Sequence, residues 1–258
     1  MEHNNKDVIV VGNKEDIIKS EEYFLMDGFK ISKPFPNDDN QAIKEIINDY
    51  FVHILQNRTY EPETMKVIKD NIKEGDICVD VGASIGYVTL NIAKHMGNTG
   101  HLYSYEPTDN QFKYLEKNIE INGFKDKVEA FSLAAWDKEE NNFVRRDDES
   151  DNKNKIQTNA GIDRTKLRGI ILDDVLPEKV DFIKMDIDGS EPRALKGLIK
   201  TFERNPQLKM VIEYYPECIE KCGNNPQDMM DILDKYFTYE KIEGDYTDTY
   251  WNYICKRK

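Results

Sequence analysis

Two periodicities of apolar residues alternate along most of the chain. From residue 62 onward, apolar runs of strand length are separated by stretches in which apolar residues recur every three or four positions. The runs predict buried strands over 77–81, 102–105, 128–133, 180–185 and 208–212, with a shorter one over 170–172. The intervening stretches predict helices over 64–72, 86–96, 108–122, 191–203 and 228–236. Thr108 or Asp109 offers a cap for the third of these, Phe112, Leu115, Ile119 and Ile121 its inward face, and Asn122-Gly123 its end. Pro192 suits a helix start. Residues 239–242 and 252–255 read as a closing hairpin. Strand–helix repetition of this kind predicts an α/β fold, a mostly parallel sheet with helices on both faces.

Two regions depart from that rhythm. Ahead of residue 60, the strand-like pieces 23–26 and 29–31 flank Asp27-Gly28 and predict a hairpin. Ile43, Ile46, Ile47, Tyr50, Phe51, Ile54 and Leu55 then form one stripe on a helix of about four turns. This divides the chain into an N-terminal extension, 1–60, and a main domain, 61–258. Residues 137–156 are charged, Asn-rich and nearly free of large apolar residues, so 137–168 is expected to be a mobile surface loop. Its arginines and neighbours, Arg145, Arg146, Arg164, Lys166 and Arg168, are expected to be solvated.

Composition narrows the partners. Acidic residues outnumber basic ones by 49 to 36, a net charge of −13, which argues against nucleic acid and anionic membrane as partners. Nothing approaches the ~20 apolar residues of a membrane span or the form of a signal peptide, and the chain is expected to be cytoplasmic. Cys78 falls in a core strand, and Cys218 and Cys222 could share a helix face without a third ligand to complete a metal set. No metal is expected. None of the four histidines, His3, His53, His95 and His101, falls at a strand end.

Candidate chemistry gathers at the strand ends, where this class of fold binds its ligands. The stretch Asp80-Val81-Gly82-Ala83-Ser84-Ile85-Gly86-Tyr87 runs from strand through a glycine turn into a helix. Its spacing, Asp-x-Gly-x-x-x-Gly, lacks the Gly-x-Gly of a pyrophosphate-binding turn. Glu106, 24 residues beyond Gly82 and at the end of the next strand, can accept hydrogen bonds from both hydroxyls of a ribose. Pro107, Ser132 and Ala134 follow at the ends of the second and third strands. Asp186, Asp188, Glu191 and Glu213 stand at or just beyond the fourth and fifth. Together they suit a ligand with an adenosine part and a cationic part, with Gly82–Ser84 serving a carboxylate and Asp80 or Asp186 an ammonium.

Four stretches resemble the FkbM-type methyltransferases: the glycine turn above, Tyr60-Glu61-Pro62, Leu172-Asp173-Asp174-Val175-Leu176, and Ile183-Lys184-Met185-Asp186-Ile187-Asp188-Gly189-Ser190-Glu191 with Leu195-Lys196-Gly197 behind it. The resemblance covers about residues 60–215. It implies a Rossmann-like class I methyltransferase fold with a seven-stranded sheet, S-adenosylmethionine as cofactor, and methylation of hydroxyl groups on sugars or other small molecules. On that reading Asp80, Gly82, Ala83, Ser84, Gly86, Tyr87, Glu106, Pro107, Ser132, Ala134 and Asp186 bind the cofactor, and Asp186, Asp188, Glu191 and Glu213 are the catalytic candidates. Asp188 and Glu191 are equally suited to fixing the turn and the helix start. Two positions depart from the family's habit, Asp188 for Glu and Ser190 for His. N- or C-methylation, a nicotinamide-dependent oxidoreductase and a binding module without turnover are the alternatives.

Overall fold

The computed structural model describes residues 23–26, 28–33, 44, 60–143, 157–158, 161–162, 167–244 and 249–258. The striped helix expected around 43–55 lies outside these apart from Lys44, as do His3, His53, Arg145, Arg146, Arg164 and Lys166.

Near the N-terminus, β1 (Tyr23–Met26) and β2 (Phe29–Ser32) form the expected hairpin about Gly28. The main domain follows as α1 (Pro62–Asn71), β3 (Ile77–Val81), α2 (Tyr87–His95), β4 (His101–Tyr105), α3 (Asp109–Ile121) and β5 (Val128–Phe131). After them come β6 (Ala134–Trp136), β7 (Glu140–Phe143), the short pair β8 (Gln157–Thr158) and β9 (Gly161–Ile162), and β10 (Leu167–Ile171). The chain closes with β11 (Phe182–Met185), α4 (Glu191–Lys196), α5 (Ile199–Arg204), β12 (Lys209–Tyr214), α6 (Pro216–Lys221), α7 (Pro226–Tyr236), β13 (Phe237–Lys241) and β14 (Trp251–Arg257).

Seven strands form the main sheet in the order β13-β14-β12-β11-β3-β4-β5. The five from β12 to β5 are parallel, and β14 and β13 add an antiparallel edge. From β3 the chain builds outward through β4 and β5, then crosses back to lay β11 on the other side of β3. The strand order therefore reverses between β3 and β11, where such sheets open a crevice at their carboxyl ends.

Alternation along the strands assigns each residue a face. Cys78, Phe182 and Val211 pack with α1, α2 and α3 in one core cluster, while Val79, Val81, Ile183, Met185, Met210 and Ile212 pack with α4, α5 and α7 in the other. By the same alternation Asp80, Lys184 and Glu213 belong to the α1–α3 face. Three polar groups thus share one side of three adjacent strands.

Three expectations are corrected. The helix foreseen over 191–203 is two, α4 and α5, parted at Gly197. A side chain at Gly197 would place its Cβ 2.3 Å from the Trp136 carbonyl oxygen, and the Gly197 carbonyl accepts from the Asp173 amide. Asp173 then caps α5 from outside the helix, accepting from the Lys200 amide and from the Thr201 amide and hydroxyl. The surface loop foreseen over 137–168 contributes β7, which pairs antiparallel with β10 in a second sheet ordered β6-β10-β7. Backbone pairing needs no large apolar side chains, so composition concealed it. The helix α6 was not foreseen, although Pro216 at its first turn is a start signal.

Asn118, fully buried on α3, joins the hairpin to the glycine turn. Its side-chain oxygen accepts from the Ser32 amide at 2.7 Å and its nitrogen donates to the Ile85 carbonyl at 2.7 Å. Asn118→Ala strands one buried donor and one buried acceptor, an expected loss of about 2–4 kcal/mol in urea denaturation. A loss below about 1 kcal/mol would show that neither bond matters.

Candidate active site

The turn after β3 touches the end of β11 backbone to backbone. Gly82 has φ 84°, and a Cβ there would lie 1.8 Å from the Asp186 carbonyl oxygen, so only glycine fits. The amides of Gly82 and Ala83 both donate to the Tyr105 carbonyl, at 2.9 and 3.0 Å. Ser84, left-handed at φ 51°, donates its amide to Glu106 Oε2 at 3.0 Å, and the Thr108 amide donates to Glu106 Oε1 at 2.8 Å. Glu106, only 4% exposed, therefore clamps together the loops that follow β3 and β4. An ionised carboxylate has about four acceptor positions, and the Ser84 and Thr108 amides occupy one on each oxygen. The amides of Gly82, Ala83 and Ser84 are thus all hydrogen-bonded within the protein.

The cofactor candidates do not all gather. Asp80, Gly82, Ala83, Ser84, Gly86, Glu106 and Pro107 sit at the ends of β3 and β4. Tyr87 turns into the core, its ring edge-on to Tyr60. The Ser132 hydroxyl donates to Asp109 Oδ1 at 3.3 Å, and Ala134 opens β6 with its side chain buried. Asp80 is fully buried and accepts from the Thr89 hydroxyl at 2.6 Å through Oδ2, while Oδ1 has no hydrogen-bond partner among the described residues. Burial raises its pKa, against the opposing pull of Lys184 and Thr89.

At the ends of β11 and β12 the expected acids do converge. Carboxylate oxygens of Asp186, Asp188 and Glu213, each half-buried, all lie within 4.8 Å of one another. Strand alternation does not bring Asp186 and Asp188 together, because β11 stops at Met185. A tight turn does, with Asp188 at φ 49° and Gly189 at φ 93°. Asn224 Nδ2 donates to the Gly189 carbonyl, and the Cys222 thiol donates to the Asp188 carbonyl. Three carboxylates so close repel when all are ionised, which a shared proton or a positive group between them relieves. Burial, then Asp186, Glu191, Asp188 and Glu61, push Glu213 well above the usual carboxylate range.

Glu191 is placed differently. At 1% exposure it lies under the turn, its Oε1 accepting from the Ile187 amide at 2.9 Å and its Oε2 without a partner among the described residues. Burial pushes it up to about 8 despite the opposing backbone hydrogen bonds, with Asp186 and Asp188 adding to the rise. Geometrically it is a brace for the turn.

Three neighbours of the acids were not picked out from sequence. Lys184, 3% exposed, donates from Nζ to Asp186 Oδ2 at 3.1 Å. Burial works against its charge, but Asp186, Asp80 and Glu61 outweigh it and hold the ammonium protonated. Glu61, left-handed at φ 47° at the N-terminus of α1, acts electrostatically on both Lys184 and Glu213. The Tyr250 hydroxyl is raised by burial and then by Glu213 and Glu61, and its ring lies 5.1 Å from that of Tyr215. Tyr60-Glu61-Pro62 stood out only as a stretch resembling the family, and no local pattern connects Glu61 with Glu213. His95 and His101 bond to the Asn91 carbonyl and to Glu129, away from this site.

The model for the Methyltransferase FkbM domain matches residues 80–241. The chain belongs to that family. Solved structures share its fold: a methyltransferase from Aquifex aeolicus described as SAM-dependent is 20% identical, with 86% of this chain and 100% of that one covered and a TM-score of 0.51. An rRNA-methylase candidate from Clostridium thermocellum is 14% identical over 76% of this chain and 94% of that one, TM-score 0.52. The methyltransferase FkbM from Methylobacillus flagellatus is 15% identical over 81% of this chain, which spans 60% of that protein's length, TM-score 0.50. At these identities the likeness is one of fold. No curated protein matches the chain. Membership makes this FkbM-family chain a methyltransferase, and its mostly parallel seven-stranded sheet with an antiparallel end is as expected. Among the described residues no helix is long and apolar enough to cross a membrane.

The brace under the turn has a pH signature. A carboxyl raised on folding from 4.5 to about 8 binds its proton more tightly in the folded state. Its contribution therefore favours folding at low pH and is lost as pH rises across that window. Glu191→Gln keeps the acceptor for Ile187 and cannot ionise. Its stability in urea should fall less than that of the unchanged chain between about pH 5 and pH 9; parallel pH curves would exclude the assignment.

Proposed function

We propose that this FkbM-family methyltransferase transfers a methyl group from S-adenosylmethionine to a hydroxyl on a sugar or other small-molecule or glycan acceptor. The observation that carries the reading is the convergence of Asp186, Asp188 and Glu213 beside the Gly82 turn, at the point where strand order reverses. When bound, S-adenosylmethionine supplies a methyl group on a cationic sulfur, open to in-line displacement by oxygen.

The residues present fit that donor. The Gly82–Gly86 turn stands beside the acidic rim, held there by the backbone contact of Gly82 with Asp186, Glu106 and Pro107 lie where an adenosine ribose would be met, and Asp186 offers a negative charge to a cationic group. In this reading Asp80 acts from beneath, through Lys184. Ser132 and Ala134 take the outer, adenine side, and Tyr87 supports the turn from the core. Glu213 is the proton acceptor for the hydroxyl. Burial and the surrounding acids raise its pKa, so its carboxylate is a stronger base than an ordinary glutamate. Asp186 and Asp188 orient the hydroxyl and sustain that shift, while Glu191 holds the turn in place. The net charge of −13 favours a small acceptor over nucleic acid, and we place the reaction in the cytoplasm on the absence of long apolar runs.

Calorimetry should detect S-adenosylmethionine binding to the intact chain, weakened at least ~10-fold in Glu106→Ala, which loses both the clamp and the ribose acceptor. Absence of binding sinks the donor assignment. With an acceptor in hand, the base must lose its proton to act, so kcat/KM should rise with pH through a midpoint above the usual glutamate range. Glu213→Gln should lower the rate by ~10²-fold and abolish that rise. A Gln variant with the same pH profile removes Glu213 from the mechanism.

A further inference from the structure

Behind the acidic rim lies a pair of thiols that methyl transfer does not use. Cys218 sits on α6 and Cys222 at its C-terminal cap, one helical turn apart, both half-buried, and their side chains hydrogen-bond to each other. Both touch the turn that carries Asp186 and Asp188. The Cys222 thiol donates to the Asp188 carbonyl at 3.3 Å. A Cβ on Gly189 would lie 2.5 Å from the Cys218 carbonyl oxygen, so turn and helix meet without a spacer. Asp188 holds its left-handed φ of 49° without being glycine, a strained conformation that depends on such contacts. The other cysteines, Cys78 and Cys255, are fully buried in strands.

We propose that Cys218 and Cys222 form a reversible oxidation site whose state is transmitted to the active-site turn. The oxidant is a small disulfide of the oxidised-glutathione class. The Cys222 thiolate attacks one sulfur of that disulfide, forming a mixed disulfide and expelling a thiolate. With Cys222 held in the mixed disulfide, Cys218 loses the hydrogen bond that raised its thiol, gives up its proton to solvent and attacks Cys222 Sγ, closing the intramolecular bond and expelling the second thiolate. Two electrons pass to the oxidant and two protons leave the protein, so that one disulfide is made and one is consumed. Cys222 is the attacking group because its hydrogen bond to Cys218, then burial and the nearby Asp188 and Glu191 charges, push the Cys218 thiol up and keep it protonated.

Closure has a mechanical consequence. Side chains one helical turn apart have Cβ atoms ~5–6 Å from each other, whereas a disulfide needs ~3.5–4.5 Å. The end of α6 must therefore draw in, and Cys222 loses both its proton and its place against the Asp188 carbonyl. The turn is left with fewer restraints on its left-handed residue, beside the proposed reaction centre. The inference rests on contacts of the turn and not on the identity of donor or acceptor.

The test is peptide mapping by mass spectrometry after treatment of the folded chain with oxidised glutathione, together with amide hydrogen exchange over residues 186–191. A Cys218–Cys222 disulfide should form, exchange in that stretch should accelerate at least ~5-fold, as for loss of one hydrogen bond, and dithiothreitol should reverse both. Cys218→Ser should trap glutathione on Cys222, and Cys222→Ser should react much more slowly. No intramolecular disulfide, or a disulfide that leaves exchange over 186–191 unchanged, overturns the proposal. Neither readout requires turnover, so it can fail while the methyltransferase reading stands.

Discussion

The backbone contact between Gly82 and the Asp186 carbonyl is the constraint around which the site is arranged. Parallel strands β3 and β11 run side by side, and at their ends the chain leaves in different directions, β3 toward α2 and β11 toward α4. Without a Cβ at Gly82 the two departures can touch, and the Asp186 amide still reaches the Val81 carbonyl. That closeness places the glycine turn and the acidic turn on the two lips of one crevice. Glu106 fastens the first lip to β4, while Glu191, Cys222 and Asn224 fasten the second to α4 and α6. Each lip is thus held from behind by polar groups of the protein.

Electrostatics beneath the crevice follow from which face each strand residue occupies. Asp80, Lys184 and Glu213 lie on one side of adjacent strands, and Asp80 and Lys184 are register partners. A buried ammonium between one buried and one half-buried acid is stable because its charge is matched on both sides. The arrangement biases the rim. Asp186 is tied to the Lys184 ammonium, and Glu213, beside the acids Asp186, Glu191, Asp188 and Glu61, is pushed toward holding a proton.

Much of the fold was legible because strands buried on both faces and helices with one apolar stripe leave strong local patterns. The glycine turn, Glu106 and the acids of 186–213 could be read for the same reason: each stands at a strand end, and strand ends are where periodicity changes. What escaped depends on contacts between distant segments. The break at Gly197 is imposed by Trp136 and Asp173, and β7 exists only because β10 lies beside it. Lys184 looked like an ordinary member of a strand until Asp80 and Asp186 were seen to surround it. Glu191 occupies the sequence position of a rim acid, but its carboxyl is turned under the loop, a distinction that depends on side-chain direction and not on spacing.

Asn118 couples two distant parts of the molecule through one side chain. Its amide oxygen and nitrogen serve residues 86 and 33 positions away. The Ser32 amide belongs to the N-terminal hairpin, the Ile85 carbonyl to the glycine turn. One side-chain orientation has to suit both partners, so a displacement of the hairpin is felt at the turn on the other side of α3.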